Sequence, residues 1–219
     1  MTKAASADLM AGVESSHRSA RKRRAILGAA TEVFLTGGYL GASMDEIAAR
    51  SAVSKQTVYK HFASKEALFI EIVTGMTDEA SGKVLNEMPD LGEGKDLAEY
   101  LLNYAYRQLT VVLTPRIMQL RRLVIGEVSR FPELARVLYE RGPARALEAL
   151  AALFIRLADR GLLVIDDPLV AASQFNWLIM SAPLNQAMLL GDEAIPKQAE
   201  LRRHAADGVR VFLAAYGRQ

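Results

Sequence analysis

The sequence predicts an all-α protein: an N-terminal domain of three helices holding a helix-turn-helix, followed by a larger helical domain. Three observations predict this. Apolar residues recur at helical spacing along nearly the whole chain, and no stretch alternates with the period of a strand. Proline, glycine and capping residues cut that pattern into helix-length pieces. Charge is divided unevenly, because residues 1–65 hold 10 Lys and Arg against 5 Asp and Glu (+5) and residues 66–219 hold 17 against 20 (−3). The total of +2 conceals a basic first third.

Residues 1–17 are small and polar and are expected to form a mobile arm. The basic run Arg18, Arg21, Lys22, Arg23 and Arg24 leads into Ile26, Leu27, Ala30, Val33 and Phe34, whose spacing is that of an amphipathic helix. Gly37-Gly38 stops it. Ser43 with Glu46 fits a capping box, which predicts a second helix from about Met44 with Ile47 and Ala48 on its apolar stripe. Ser51-Ala52-Val53 interrupts that helix, and Ser54 offers the N-cap of a third, in which only Val58 and Phe62 look like core. Ser64-Lys65-Glu66 then caps a longer helix, Lys65 to about Met88, with Leu68, Phe69, Ile72, Val73, Met76, Ala80 and Val84 as its stripe.

The third helix presents Lys55, Gln56, Thr57, Tyr59, Lys60 and His61, so it must meet water or something polar. Lysine neutralises phosphate, while Gln, Thr and Lys pair with base edges in the major groove. Alone, such a helix is ordinary solvated surface. The basic run upstream and the positive end of the Lys65 helix downstream point instead to DNA. On this reading Lys55, Gln56 and Thr57 face bases, and Ser43, Tyr59, Lys60, His61 and Lys65 contact or orient phosphate.

The run ILGAATEVFLTGGYLGASMDEIAARSAVSKQTVYKHFASKEALF resembles the TetR family of bacterial transcriptional regulators. The Gly38-Tyr39 corner, the capped second helix, the Val-Ser turn into the third, and Tyr59-Lys60-His61-Phe62 before Ser64-Lys65-Glu66 recur in that family in this order. The resemblance implies a DNA-binding domain over residues 18–64 and a domain over residues 65–219 that senses a ligand and dimerises. It also implies a repressor, released from a pseudo-palindromic operator by a small molecule.

Beyond Pro89, Gly92 and Gly94, which mark a loop, further helices are expected at Leu97 to Leu113, Pro115 to Ser129, Pro132 to Glu140 and Pro143 to Arg160, the last closed by Gly161. Asp166-Asp167-Pro168 opens another to about Leu190, which Pro183 is expected to kink, and Pro196 opens the last, ending near Tyr216. Residues 120–143 and 161–175 are similar to the C-terminal domain of AefR-like regulators. The Val170–Leu190 stretch is apolar nearly all round, so part of it is expected to face a partner subunit. Leu201, Ala205, Gly208, Val209 and Phe212 on the final helix are the expected dimer interface, giving a four-helix bundle that sets two reading helices about 34–36 Å apart.

Candidates for an apolar effector pocket are Tyr104, Met118, Arg122, Phe154, Phe175, Asn176, Trp177 and Met180, each of which core packing also explains. Arg121 and Arg122 stand out as charges in an apolar segment, where a buried charge needs a partner, on the protein or on a ligand. Other chemistry has little support. There is no cysteine, and His17, His61 and His204 are too dispersed for a local metal motif, so no metal or cofactor is expected. Nothing assembles a nucleophile with a base, which argues against an enzyme. No window approaches twenty uninterrupted apolar residues, and the N-terminus lacks a signal-peptide core; a cytoplasmic protein is expected, without membrane contact. A DNA-binding regulator without an effector, constitutive or controlled by a protein partner, remains the alternative.

Overall fold

The computed structural model describes residues 2–85, 91–92, 94 and 96–218, with side chains from residue 16 onward. Among the described residues all regular structure is helical, apart from one isolated antiparallel bridge between Leu163 and Gly217. The chain divides into two compact units, Met1–Val73 and Thr74–Gln219. No helix among the described residues is long and apolar enough to cross a membrane.

In the first unit α1 spans Thr2–Gly41 and breaks at Gly38, whose φ of 70° is a conformation glycine adopts without a Cβ penalty. Residues 2–17, expected as an arm, are helical backbone, since an Ala- and Ser-rich stretch without proline contains nothing to end the helix. The second helix, α2, covers Met44–Arg50, and the Ser43 hydroxyl oxygen accepts the Glu46 N–H at 3.1 Å. Only this half of the expected capping box forms, because the Glu46 carboxylate pairs with Arg50 at 2.8 Å. Ala52 takes the left-handed φ of 53° in the turn, and Ser54 then caps α3, Lys55–His61, by accepting the Thr57 N–H at 3.2 Å. Helix α4, Lys65–Leu85, is capped by Ser64 through the Ala67 N–H at 3.0 Å. Its expected extension to Met88, and Pro89, lie outside the described residues.

Helices as short as α2 and α3 do not persist alone, so their stability comes from packing. Ile26, Phe34, Ile47, Val58, Phe62 and Leu68 are buried, and the Phe69 ring lies 5.0 Å from Phe34 and 5.1 Å from Tyr39, centroid to centroid. Leu68, Phe69, Ile72 and Val73 are all buried at the start of α4, which is why this unit ends inside that helix and not at Lys65.

The second unit holds the rest of α4 with α5 (Leu97–Val112), α6 (Pro115–Gly126), α7 (Pro132–Tyr139), a π-helical turn (Glu140–Ala144), α8 (Arg145–Asp159), α9 (Pro168–Leu190) and α10 (Gln198–Tyr216). Asp96, Thr114 and Asp167 cap α5, α6 and α9 through side-chain oxygens, the latter two just before a proline whose missing N–H costs nothing at a helix start. Gly161, at φ 69°, follows α8 as expected. Pro143 falls in the π turn, and α9 runs on through Pro183 as one helix.

The core of this unit centres on packed aromatics: Phe212 stacks on Phe154 at 4.9 Å and meets Phe175 edge-on at 5.0 Å, and Tyr104 lies tilted 6.1 Å from Phe175. Leu201, Ala205, Gly208 and Val209 are buried in the same unit. A Cβ on Gly208 would fall 2.5 Å from Ile179 Cδ1, so this glycine lets α10 approach α9 closely. The five residues expected at a dimer interface are therefore interior to their own chain. Sequence periodicity identifies an apolar side of a helix but not which body covers it. Phe212→Ala should lower the unfolding free energy in denaturant by about 3–5 kcal/mol. Unchanged stability with a lost dimer would return Phe212 to the interface.

Candidate DNA-reading surface and effector cavity

Helix α3 turns Val58 into the core of the first unit and leaves Lys55, Gln56, Tyr59 and Lys60 exposed. Tyr59 is 45% exposed, unusual for an aromatic side chain with a core beneath it. Thr57 and His61 are half-buried, and the Thr57 hydroxyl lies 2.8 Å from the Ser54 hydroxyl, so it is partly committed to the cap. Lys55 is held by Asp45 on α2, with Nζ 2.8 Å from the carboxylate, and this hydrogen bond and charge raise its pKa. Ser43 is exposed at the N-cap of α2.

Lys65 is placed differently from the other candidates. Its Nζ donates to the Ala42 carbonyl at 2.8 Å and lies 4.5 Å over the Tyr39 ring, so it ties the start of α4 to the residues before α2. On α1, Arg23 pairs with Glu71 at 2.5 Å and lies 5.1 Å over the Phe62 ring. Arg18, Arg21, Lys22 and Arg24 are exposed on the same helix.

The second unit encloses a cavity of about 360 Å³, within the size range of small-molecule sites. Its wall is mostly apolar and comes from α4 through α9: Val84, Val112, Leu120, Leu147 and Met180 are examples. Of the expected pocket residues, Asn176, Trp177 and Met180 line it. Trp177, 53% exposed, and Tyr139, 59% exposed, combine cavity lining with solvent contact, as residues at a mouth do.

Tyr104, Met118, Phe154 and Phe175 do not line the cavity; they are buried in the core of this unit, where Phe154 meets Phe175 edge-on and the Tyr104 hydroxyl is left without a hydrogen-bond partner among the described residues. Arg122 is also elsewhere. Its guanidinium donates to the Ala187 carbonyl at 2.8 Å and pairs closely with Asp192, whose other oxygen accepts from Gln119 at 2.6 Å. The neighbouring Arg121 lines the cavity instead, because successive residues on a helix point about 100° apart. Sequence reasoning singled out both arginines but placed Arg122 at the pocket, whereas Arg121 is the one that lines the cavity. It missed Gln108, 5% exposed, whose Nε2 donates to Asn176 Oδ1 at 2.7 Å while its Oε1 is buried without a partner. A lone glutamine on a tyrosine-rich helix gives no signal of this. Also missed were Thr77 and Ser81 on α4 and the π turn, where the Ser81 hydroxyl donates to the Arg141 carbonyl at 2.6 Å and Arg141 pairs with Asp78 at 2.8 Å.

Burial pushes the Asp192 carboxyl up, but the hydrogen bonds from Arg122 and Gln119 and the Arg122 charge together hold it below its usual value. Its stabilisation is therefore present above the unfolded pKa and lost as pH falls through the lower folded one. Asp192→Ala should cost about 1–3 kcal/mol at neutral pH, and the gap to wild type should shrink below about pH 4. An equal cost in acid and at neutral pH would assign the loss to packing.

Comparison with known proteins bears on both units. The family of bacterial regulatory proteins, tetR family, matches residues 26–72, and the C-terminal domain of AefR-like transcriptional repressors matches residues 99–218. A crystal structure of a TetR-family transcriptional regulator from Mesorhizobium loti is 41% identical, with a TM-score of 0.85 over 92% of this chain and 99% of that one. The flavonoid-responsive regulator FrrA is 30% identical, with a TM-score of 0.74 over 91% of this chain and 99% of its own. The transcriptional activator FasR of Mycolicibacterium smegmatis is 46% identical over 57 residues, and that match spans 26% of each chain. These relatives are regulators and not enzymes. The chain belongs to the TetR family of DNA-binding transcriptional regulators.

Proposed function

We propose that this protein is a repressor that binds a pseudo-palindromic operator as a homodimer and is released by a small, largely apolar effector held in the C-terminal cavity. The observation that carries the reading is the cavity itself, whose wall includes Thr77, Ala80, Ser81 and Val84 of α4, the helix that begins at Lys65 in the DNA-binding unit. A filled C-terminal core would have favoured a regulator without an effector. The match to a repressor's C-terminal domain supports the sign of regulation, and FrrA, responsive to flavonoids, supports a small molecule as the input.

At the DNA, exposed Gln56 and Lys55 at the N-terminal end of α3 read bases, with Thr57 beside them, and Tyr59, Lys60, His61 and Ser43 address phosphate. Lys55 exchanges Asp45 for DNA on binding. Lys65 acts by positioning, through Ala42 and Tyr39. The dimer forms through the outward side of α9 and α10, where Val170, Gln174, Asn185 and Leu189 follow one another at helical spacing and Val211 lies exposed. An effector that fits only one placement of α4 against the π turn favours one conformation over the other. A coupling of about 1–3 kcal/mol is enough for a useful response.

Selection of bound sequences from a random DNA library should return an inverted repeat, and the selected operator then tests the residues. Lys60→Ala should weaken binding to all sequences and lower the salt slope by about one; Gln56→Ala should cost about 1–3 kcal/mol on operator and relax one position per half-site. Equal loss on operator and random DNA for Gln56→Ala would remove its base-reading role. A Leu189→Glu, Val211→Glu variant should run as a folded monomer in light scattering; a dimer with wild-type stability would place the interface elsewhere.

A further inference from the structure

The cavity carries a signature of its ligand's chemistry. Arg121 is the one charged side chain lining it, no Asp or Glu faces it there, and Arg121 makes no ion pair or hydrogen bond among the described residues. Burial lowers its pKa, yet a guanidinium stays ionised in a protein. Arg121 is half-buried, and a charge partly withdrawn from water without a partner carries a cost. A cation in this cavity would be repelled, and a neutral apolar body would bury the guanidinium further without compensating it.

Gln108 supplies a second, independent observation. Its side chain is nearly fully buried, its amide donor is spent on Asn176, and its Oε1 has no partner. A buried acceptor left open is costly, and a donor brought by a ligand would recover that cost. Ser81 is no substitute, because its hydroxyl already donates to the Arg141 carbonyl.

We propose that the effector is an organic acid: an apolar body bearing one anionic oxygen group that pairs with Arg121 and one hydroxyl that donates to Gln108 Oε1. This rests on the reading of the cavity as the effector site. It specifies that site as one for an amphipathic anion. The pairing is strong because a fork of guanidinium N–H groups meets two carboxylate oxygens, and it is selective because the apolar wall rejects small hydrophilic anions.

The test uses three probes on the full chain: a naphthoate with a hydroxyl on its far ring, the matching carboxamide, and the naphthoate lacking the hydroxyl. Calorimetry measures affinity, and the single tryptophan, Trp177 at the cavity, reports where binding occurs. The hydroxy acid should bind and quench Trp177, the amide should bind roughly tenfold or more weaker, and loss of the hydroxyl should cost roughly two- to tenfold. Arg121→Gln should bring the acid to the level of the amide without changing the amide, Arg121→Lys should restore part of the gap, and Gln108→Leu should erase the effect of the hydroxyl. An amide that binds wild type as tightly as the acid, or an acid indifferent to Arg121→Gln, overturns the organic-acid proposal and leaves the cavity as an effector site. Failure of all three probes to bind or quench overturns both readings. The acid and amide comparison on wild type decides the matter even if the variants do not fold.

Discussion

The structure depends on one helix serving two cores. The first turns of α4 bury Leu68, Phe69, Ile72 and Val73 with the small aromatic core that holds α2 and α3 in place. Its later turns contribute Thr77, Ala80, Ser81 and Val84 to the wall of the cavity. Neither α2 nor α3 is long enough to be stable without that first core. The continuous hydrogen-bond ladder of a helix resists local bending, so a displacement of one end is carried to the other. On the proposed function, such a helix is the route by which a binding event in one unit would be felt in the other.

Exposed ion pairs occur in both units, and more covered charges stand out against them. In the first unit the lysines of α3 sit in water, where the exposed Lys55 and Asp45 pair is worth little. In the C-terminal unit Arg122 and Asp192, each mostly covered, match one another, and the more exposed Arg141 pairs with Asp78. Arg121 breaks the pattern. A solvated charge carries little cost to folding, whereas a half-buried one without a partner is retained against a cost and so marks a place where something else completes it.

Much of the fold was legible in the sequence because its boundaries are written in local chemistry. Ser43, Ser54, Ser64, Asp96, Thr114 and Asp167 all begin helices near where they were expected, since a capping side chain acts on N–H groups within three residues. Glu46 shows the limit, because its carboxylate had a competing partner in Arg50. The π turn at Pro143 was invisible, being a compromise between a missing N–H and the packing of neighbouring helices. The exposure of Lys55, Gln56, Tyr59 and Lys60 was the easier part to read, since a short helix with Val58 as its buried residue leaves the rest in water. The cavity was harder for the reason that Phe154 and Trp177 look alike in sequence: an aromatic side chain that fills a core and one that borders a void differ only in what tertiary packing places next to them. The same applies to Phe212, whose periodicity fixed a buried side of α10 without identifying what buries it.

If DNA and effector compete through two conformations of one chain, their effects on each other must be reciprocal. Fluorescence anisotropy of labelled operator should give a DNA affinity that falls when the cavity is saturated with a ligand that quenches Trp177. The affinity of that ligand, measured with operator bound, should fall by the same factor, since linkage requires the two changes to be equal. An operator affinity unchanged by every ligand shown to occupy the cavity would contradict the account.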